Sequence, residues 1–402
     1  MTSREKVRKL FRHEPTDGIV IDFGCMPSDG MSAFTYAELV QALGLPPRPA
    51  RIYDIFQQIV APDLDVINAM GGDFVMAHRM RVRFGISCRE WKQDVLANGS
   101  PCLVPGELAP ELQPDGSKVI YVDGKPFARM PAGGFYYDQI AHPLEDCEEP
   151  DDLADYEPYR MTLDEIDYIC REVEELYANT DKGIVFGFGG SIFEQGQRDF
   201  NFENFYYNIM EEKELMHLYF RKTTDAYLYN LHEVLSRVGD KIDVVSFFDD
   251  LGTQTSLQLS PALYREMIKP YQAELYAAVH SHCPHGMVLL HCCGAIFDAI
   301  PDLIDAGVDM LNPVQISARG MEPERLKETF GKEIIFWGGG ADLQQFVQKT
   351  EDLDAIRAHV ERLVEIFEQN GNYVFSQIHN FQHDVPVEKI LAIYEIAKAH
   401  KH

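Results

Sequence analysis

The chain has 402 residues, of which 36 are Lys or Arg and 64 are Asp or Glu, giving a formal net charge of −28. That balance excludes a nucleic-acid partner, which needs a concentrated positive field. A content of 46% hydrophobic and 25% charged residues excludes a disordered or fibrous chain, leaving a globular protein that acts on a small molecule or a protein.

Residues 4–12 read as an amphipathic helix, followed by a Pro-Thr-Asp-Gly turn and an apolar strand over 18–24. The opening, MTSREKVRKLFRHEP, has no apolar core of a signal peptide, and no stretch approaches the roughly 18 apolar residues of a membrane span. The expectation is a cytoplasmic protein without membrane contact. Its 8 cysteines are scattered, which suggests reduced thiols, some of them metal ligands, rather than a disulfide scaffold.

The strand grammar then recurs. Short apolar runs at 73–76, 183–189, 244–250, 287–294, 310–315, 334–340 and 373–379 mostly end in Gly, Asp or His, with helical segments such as 261–280, 322–330 and 353–369 between several of them. Strand, helix, strand in repetition means parallel pairing, and about eight such units predict a (β/α)8 TIM barrel, with a doubly wound open sheet as the other α/β solution. Residues 81–143 break the rhythm with Pro-Gly, Pro-Asp-Gly and Asp-Gly-Lys-Pro turns, which predicts a β-hairpin insertion within one barrel domain over 1–402. The acidic stretch 144–159 reads as a solvated connector.

In such a barrel the reactive groups stand at the carboxyl ends of the strands. His291 and Cys293 are two apart at one strand end, so alternation puts both on one face and turns Cys292 away. Imidazole and thiolate together suit zinc. His379, at the end of the last strand, is the expected third ligand, with His383 in the same loop as its replacement or its orienting partner. Asp249 and Asp250 end the strand VVSFFDD and are the candidate catalytic carboxylates, the bland alternative being that one caps the next turn. Asn312 and Gln315 offer neutral polar groups at another strand end. Trp337, Gly338 and Gly339 open a glycine-rich loop whose amides suit a phosphate or carboxylate, unless the glycines serve only a tight turn. These five are the expected substrate-binding residues. Gly187-Phe-Gly-Gly190 leaves room for a bulky ligand, and the aromatic cluster of Phe193, Phe200, Phe202, Phe205, Tyr206 and Tyr207 either lines a pocket or packs in the core.

The stretches RHEPTDGIVIDFG, DDLGTQTSLQLSPALYREMIKPYQAEL, HCCGAIFDAIPDLIDAGVDMLNPVQ, FWGGGAD and HNFQHDVPVEKILAIYE together resemble the uroporphyrinogen decarboxylase superfamily, which also holds cobalamin-dependent methyltransferases. The resemblance implies a (β/α)8 barrel. True decarboxylases carry an arginine-rich Met-Arg-Gln-Ala-Gly-Arg-Tyr motif where this chain has Asp22-Phe-Gly-Cys-Met-Pro-Ser28, without arginine. The methyltransferase branch resembles the chain at His-x-Cys, which maps onto His291 and Cys293. Its third ligand, usually Cys, falls on His379, ahead of Asp384-Val-Pro-Val-Glu-Lys389 in place of Thr-Pro-x-Glu-Asn. The resemblance therefore implies a zinc-dependent methyltransferase moving a methyl group between a small methoxy compound, methylamine or thiol and a corrinoid (cobalamin). The chain has no Asp-x-His-x-x-Gly signature of its own, so a separate carrier protein would supply the corrinoid. A carboxy-lyase acting on a carboxylated substrate is the alternative.

Overall fold

Runs of Val, Ile, Leu and Phe only four to eight residues long, bounded by Gly, Asp and Asn, are too short and too evenly apolar for amphipathic helices. They suit strands covered on both faces. In the computed structural model, which describes residues 1–401, they form eight strands: β1 (Val20–Ile21), β2 (Phe74–Ala77), β3 (Gly183–Gly189), β4 (Val244–Phe248), β5 (Met287–His291), β6 (Met310–Asn312), β7 (Ile335–Trp337) and β8 (Tyr373–Phe375). All pair in parallel in the order β1-β8-β7-β6-β5-β4-β3-β2. The seam between β1 and β2 is bridged by Asp73, whose N–H donates to the Ile21 carbonyl at 2.7 Å and whose carboxylate accepts from the Ile21 N–H at 3.0 Å. The result is a nearly closed (β/α)8 barrel, and the open-sheet alternative falls.

The helices follow from their ends. The first, Ser3–Phe11, begins in a capping box in which the Thr2 side chain accepts from the Glu5 N–H and Glu5 reaches back to Thr2. Thr162 and Glu165 do the same for Leu163–Asn179. The single helix expected over 261–280 is two, Pro261–Met267 and Lys269–His282, with the break at Ile268. Pro270 has no N–H for the preceding turn and its ring excludes a continuous helix there.

Between β2 and β3, two antiparallel sets of strands lie over the carboxyl end of the barrel. Trp91–Val95 pairs with Pro101–Pro105, and Lys118–Val122 with Lys125–Met130 through a two-residue turn at Asp123 (φ 51°) and Gly124 (φ 74°), the positive-φ pair that a tight hairpin requires. The earlier strand Ala50–Asp54 also joins them, in parallel with Pro101–Pro105. This arrangement carries Phe127, Phe135 and Tyr136 to the wall of the large cavity at the barrel mouth.

Candidate active site at the barrel mouth

His291 ends β5 level with Phe248 on one neighbouring strand and Asn312 on the other, because parallel register sets these positions side by side. The imidazole Nδ1 lies 2.5 Å from Asn312 Oδ1. Asn312 spends its amide hydrogens on Asp29 Oδ2 at 2.7 Å and on the Trp337 carbonyl at 3.1 Å, so its oxygen accepts and His291 carries its proton on Nδ1. The lone pair of Nε2 is thereby aimed at Cys293, whose Sγ is 3.5 Å away.

Ligand atoms of His291, Cys293 and His379 all lie within 4.8 Å of one another. A tetrahedral zinc with bonds of about 2.0–2.3 Å wants its ligand atoms roughly 3.3–3.8 Å apart, a contraction that side-chain rotation can supply. His379 holds a left-handed backbone conformation, φ 64°, and Val314, just beyond β6, holds φ 58°. Such strain in non-glycine residues, severest for a β-branched one, gathers where a site is over-determined by its surroundings. His383 is exposed and stacks on Phe135, with ring centroids 3.7 Å apart, so it is not a member of the group.

The electrostatics of the three residues suit a cation. Burial, then Asp250 and Glu194, push the Cys293 thiol well above its ordinary range. Burial, then His291, pushes His379 down to about 4. The donors are thus the His291 imidazole, a His379 imidazole that burial keeps neutral, and a thiol beside acidic side chains, and a bound divalent ion would favour the thiolate.

The adjacent aspartates part company. The Asp249 carboxylate accepts from the backbone N–H groups of Ile192, Phe193 and Glu194, each at 2.9 Å, and from Gln272 Nε2 at 2.8 Å. It caps the helix Phe193–Phe200 from a neighbouring strand and does not face the cavity. Asp250 does: its Oδ1 accepts from the Cys293 N–H at 2.7 Å and stands 3.9 Å from His291 Nε2.

The five residues expected to bind substrate lie behind the mouth, and none lines the cavity. Asn312 orients His291. Gln315 accepts from the Gly294 N–H at 2.9 Å, and Trp337 is fully buried with its Nε1 donating to Asp22 Oδ2 at 3.2 Å. Gly338 and Gly339 donate their N–H groups to the carbonyls of Val374 and Pro313, at 3.0 and 2.9 Å, so these amides are not free to cradle an anion. A Cβ on Gly338 would stand 2.2 Å from the Pro313 carbonyl oxygen, which is why that position is glycine. In the aromatic cluster Phe193, Phe200 and Phe205 are buried, Phe202 and Tyr207 are exposed, and none of the six lines the cavity.

The cavity, of about 1100 Å³, instead presents residues that the sequence reading passed over. Glu194 is one; its carboxyl is raised by burial, with Arg198 opposing and Asp250 adding to the rise. Arg79, Arg81, Arg83 and Arg198 are others. Segment 22–28 lacks arginine, but the mouth does not; alternation along RMRVR after β2 was the available signal.

Among solved structures the chain is similar to xylanase 10B from Thermotoga maritima (9% identity, 60% of this chain and 81% of that one covered, TM-score 0.37). It is also similar to a GH10 xylanase with a bacterial Ig-like domain from termite gut (8% identity, 82% and 98% covered, TM-score 0.39). No curated protein matches the chain. The family model for uroporphyrinogen decarboxylase (URO-D) matches residues 135–400, a span that takes in β3 through β8 and His291, Cys293 and His379, and the chain belongs to that family.

Proposed function

We propose that the protein is a zinc-dependent methyltransferase that moves a methyl group between a small substrate and a corrinoid carried by a separate protein. The observation that carries this reading is the convergence of His291, Cys293 and His379 at the barrel mouth, with Nε2 of His291 left free by its bond to Asn312. A zinc ion held there would supply Lewis acidity toward the heteroatom bearing the methyl group, or toward a thiol acceptor. The corrinoid rests on the His-x-Cys resemblance to the methyltransferase branch.

The chain's own residues have separable tasks. Asn312 fixes the tautomer and direction of His291. Asp250, one of the two aspartates expected as catalytic carboxylates, ties down the Cys293 backbone and places its carboxylate beside the ligand set. Glu194, whose carboxyl burial pushes upward, lines the cavity and would pass a proton to a leaving heteroatom. Phe127, Phe135 and Tyr136 close the outer wall and exclude water.

Elemental analysis after chelator dialysis and reloading tests the reading: about one zinc per chain is expected, with His291→Ala and Cys293→Ser each losing it. Methyl exchange with methylcobalamin should depend on the same zinc. Protein that stays zinc-free after growth with added metal would sink the proposal.

One observation favours the carboxy-lyase alternative: Arg79, Arg83 and Arg198 in the cavity suit carboxylates. A lyase would release carbon dioxide without zinc and retain activity in Cys293→Ser, so the same variants separate the two readings.

A further inference from the structure

Buried cations are costly unless paired, and most arginines of this chain are paired. Arg81 donates to the Gly85 carbonyl at 2.6 Å and lies 3.6 Å from both Glu107 and Glu165. Arg79 and Arg83 are different. Among the described residues no side-chain hydrogen bond or ion pair is made by either guanidinium; Arg79 Nε is buried without a partner, and Arg83 lies over the Phe56 ring at 4.3 Å. Burial, followed by the charge of Arg198, pushes the Arg83 guanidinium down to about 10. Arg198 itself donates to Ser191 Oγ at 2.6 Å and meets Glu194 only at 3.7 Å. The acid nearest in kind, Asp54, is partly spent on the Gln57 N–H at 2.9 Å.

All three arginines line the cavity that holds His291 and His379. Their relation to the centre is given by Gly189 at the end of β3, where a Cβ would stand 3.8 Å from Arg79 Nη2 and 3.7 Å from the Phe248 ring. Phe248 in turn lies 5.6 Å from the His291 ring, centroid to centroid. Gly189 is thus flanked by both the unpaired guanidinium and the aromatic ring that reaches the candidate metal ligand.

We propose that Arg79, Arg83 and Arg198 form an anion subsite that binds the oxyanion, carboxylate or phosphate, of the small substrate, whose aromatic or apolar body lies along Phe248 with its reacting end at His291, Cys293 and His379. The subsite rests on the reading above only for the reacting end. It selects a methyl ether or methylated amine that also carries an anionic group, against neutral donors such as simple alcohols. Guanidinium groups give planar, charge-assisted hydrogen bonds to an oxyanion, and the surrounding low dielectric strengthens them.

The test is calorimetric titration at low salt with three probes: 3-methoxybenzoate, its neutral analogue 3-methoxybenzamide, and phenylphosphonate. The expected result is saturable binding of the acid, with the amide about tenfold weaker or more. Arg79→Gln and Arg83→Gln should each weaken the acid by about ten- to a hundredfold while leaving the amide unchanged. Arg79→Lys should recover part of the loss, and unchanged melting temperatures show that the variants fold. Parent protein dialysed against chelator should bind the acid as the zinc-loaded protein does, so the subsite stands even if the zinc reading fails. Phenylphosphonate binding more tightly than the benzoate supports the subsite and assigns a phosphate-type anion; the reverse assigns a carboxylate. Equal binding of acid and amide, folded variants that bind as the parent does, or no binding of either anion would overturn the proposal.

Discussion

The direction of the His291 imidazole depends on one side chain. Asn312 is buried, takes the Nδ1 proton of His291 and gives its own hydrogens to Asp29 and the Trp337 carbonyl. Asn312→Ala would leave a buried N–H, a buried carboxylate oxygen and a carbonyl short of a partner. We predict a loss of about 1–3 kcal/mol in stability and, because the ring is free to turn, a roughly 10–100-fold weaker zinc affinity. Urea unfolding and chelator competition measure the two effects separately. Zinc affinity equal to that of the parent protein would show that His291 is held, or the metal bound, in some other way. The same reasoning explains why Asn312 looked like a substrate contact in the sequence: a polar residue at a strand end has the chemistry for either role, and only the neighbouring strand decides.

At the scale of elements, β4 shows how two adjacent identical residues acquire opposite tasks. Alternation sends Asp249 toward the helix after β3 and Asp250 toward β5. Asp249→Ala would strip the acceptor from three backbone donors at the start of Phe193–Phe200 and from Gln272, and we predict a cost of about 2–5 kcal/mol in denaturant unfolding. Asp250→Ala removes a cavity-facing group with one backbone partner and should cost about 1–2 kcal/mol while impairing any reaction at His291 more than Asp249→Ala does per folded molecule. Equal stability losses would contradict the division of labour. The strands themselves were legible because burial on both faces leaves an uninterrupted apolar run, and strand ends follow from the Gly, Asp and His that close each run. The pairing of Ala50–Asp54 with Pro101–Pro105 was not legible, since parallel pairing across that separation leaves no local pattern. Neither was the grouping of Arg198, from the helix after β3, with Arg79 and Arg83, from the loop after β2. Three-dimensional proximity joins what the chain keeps more than 100 positions apart.

The whole molecule carries a net charge of −28, and several of its buried acids titrate abnormally. Burial raises Asp22 to about 6, and burial with Glu194 beside it raises Asp249 to about 7 despite the hydrogen bonds it accepts. Burial likewise raises Asp199, against the donors Tyr219 and Tyr156. In the unfolded chain these carboxyls titrate near 3.9. Between about pH 4 and pH 7 the native state therefore binds more protons than the unfolded state, and stability must fall as pH rises through that window. Repulsion among surface carboxylates acts in the same direction. Carboxyls held low oppose this: Glu5, Glu14, Asp65, Asp115, Asp152 and Asp164 are solvent-screened, and Glu172, against its burial, is held low by His78. Asp302, held low by Arg265 and then Lys269, contributes stability above pH ~4 and loses it only as the solution becomes more acidic than that. We predict that chelator-treated protein, freed of any metal that acid would release, has its highest melting temperature near pH 5–6 rather than at pH 7–8. Scanning calorimetry from pH 8 to pH 4 checks this. A melting temperature that declines steadily below pH 7 would mean that Asp22 and Asp249 are ionised in the native state at neutrality, with their donated hydrogen bonds outweighing the cost of burial.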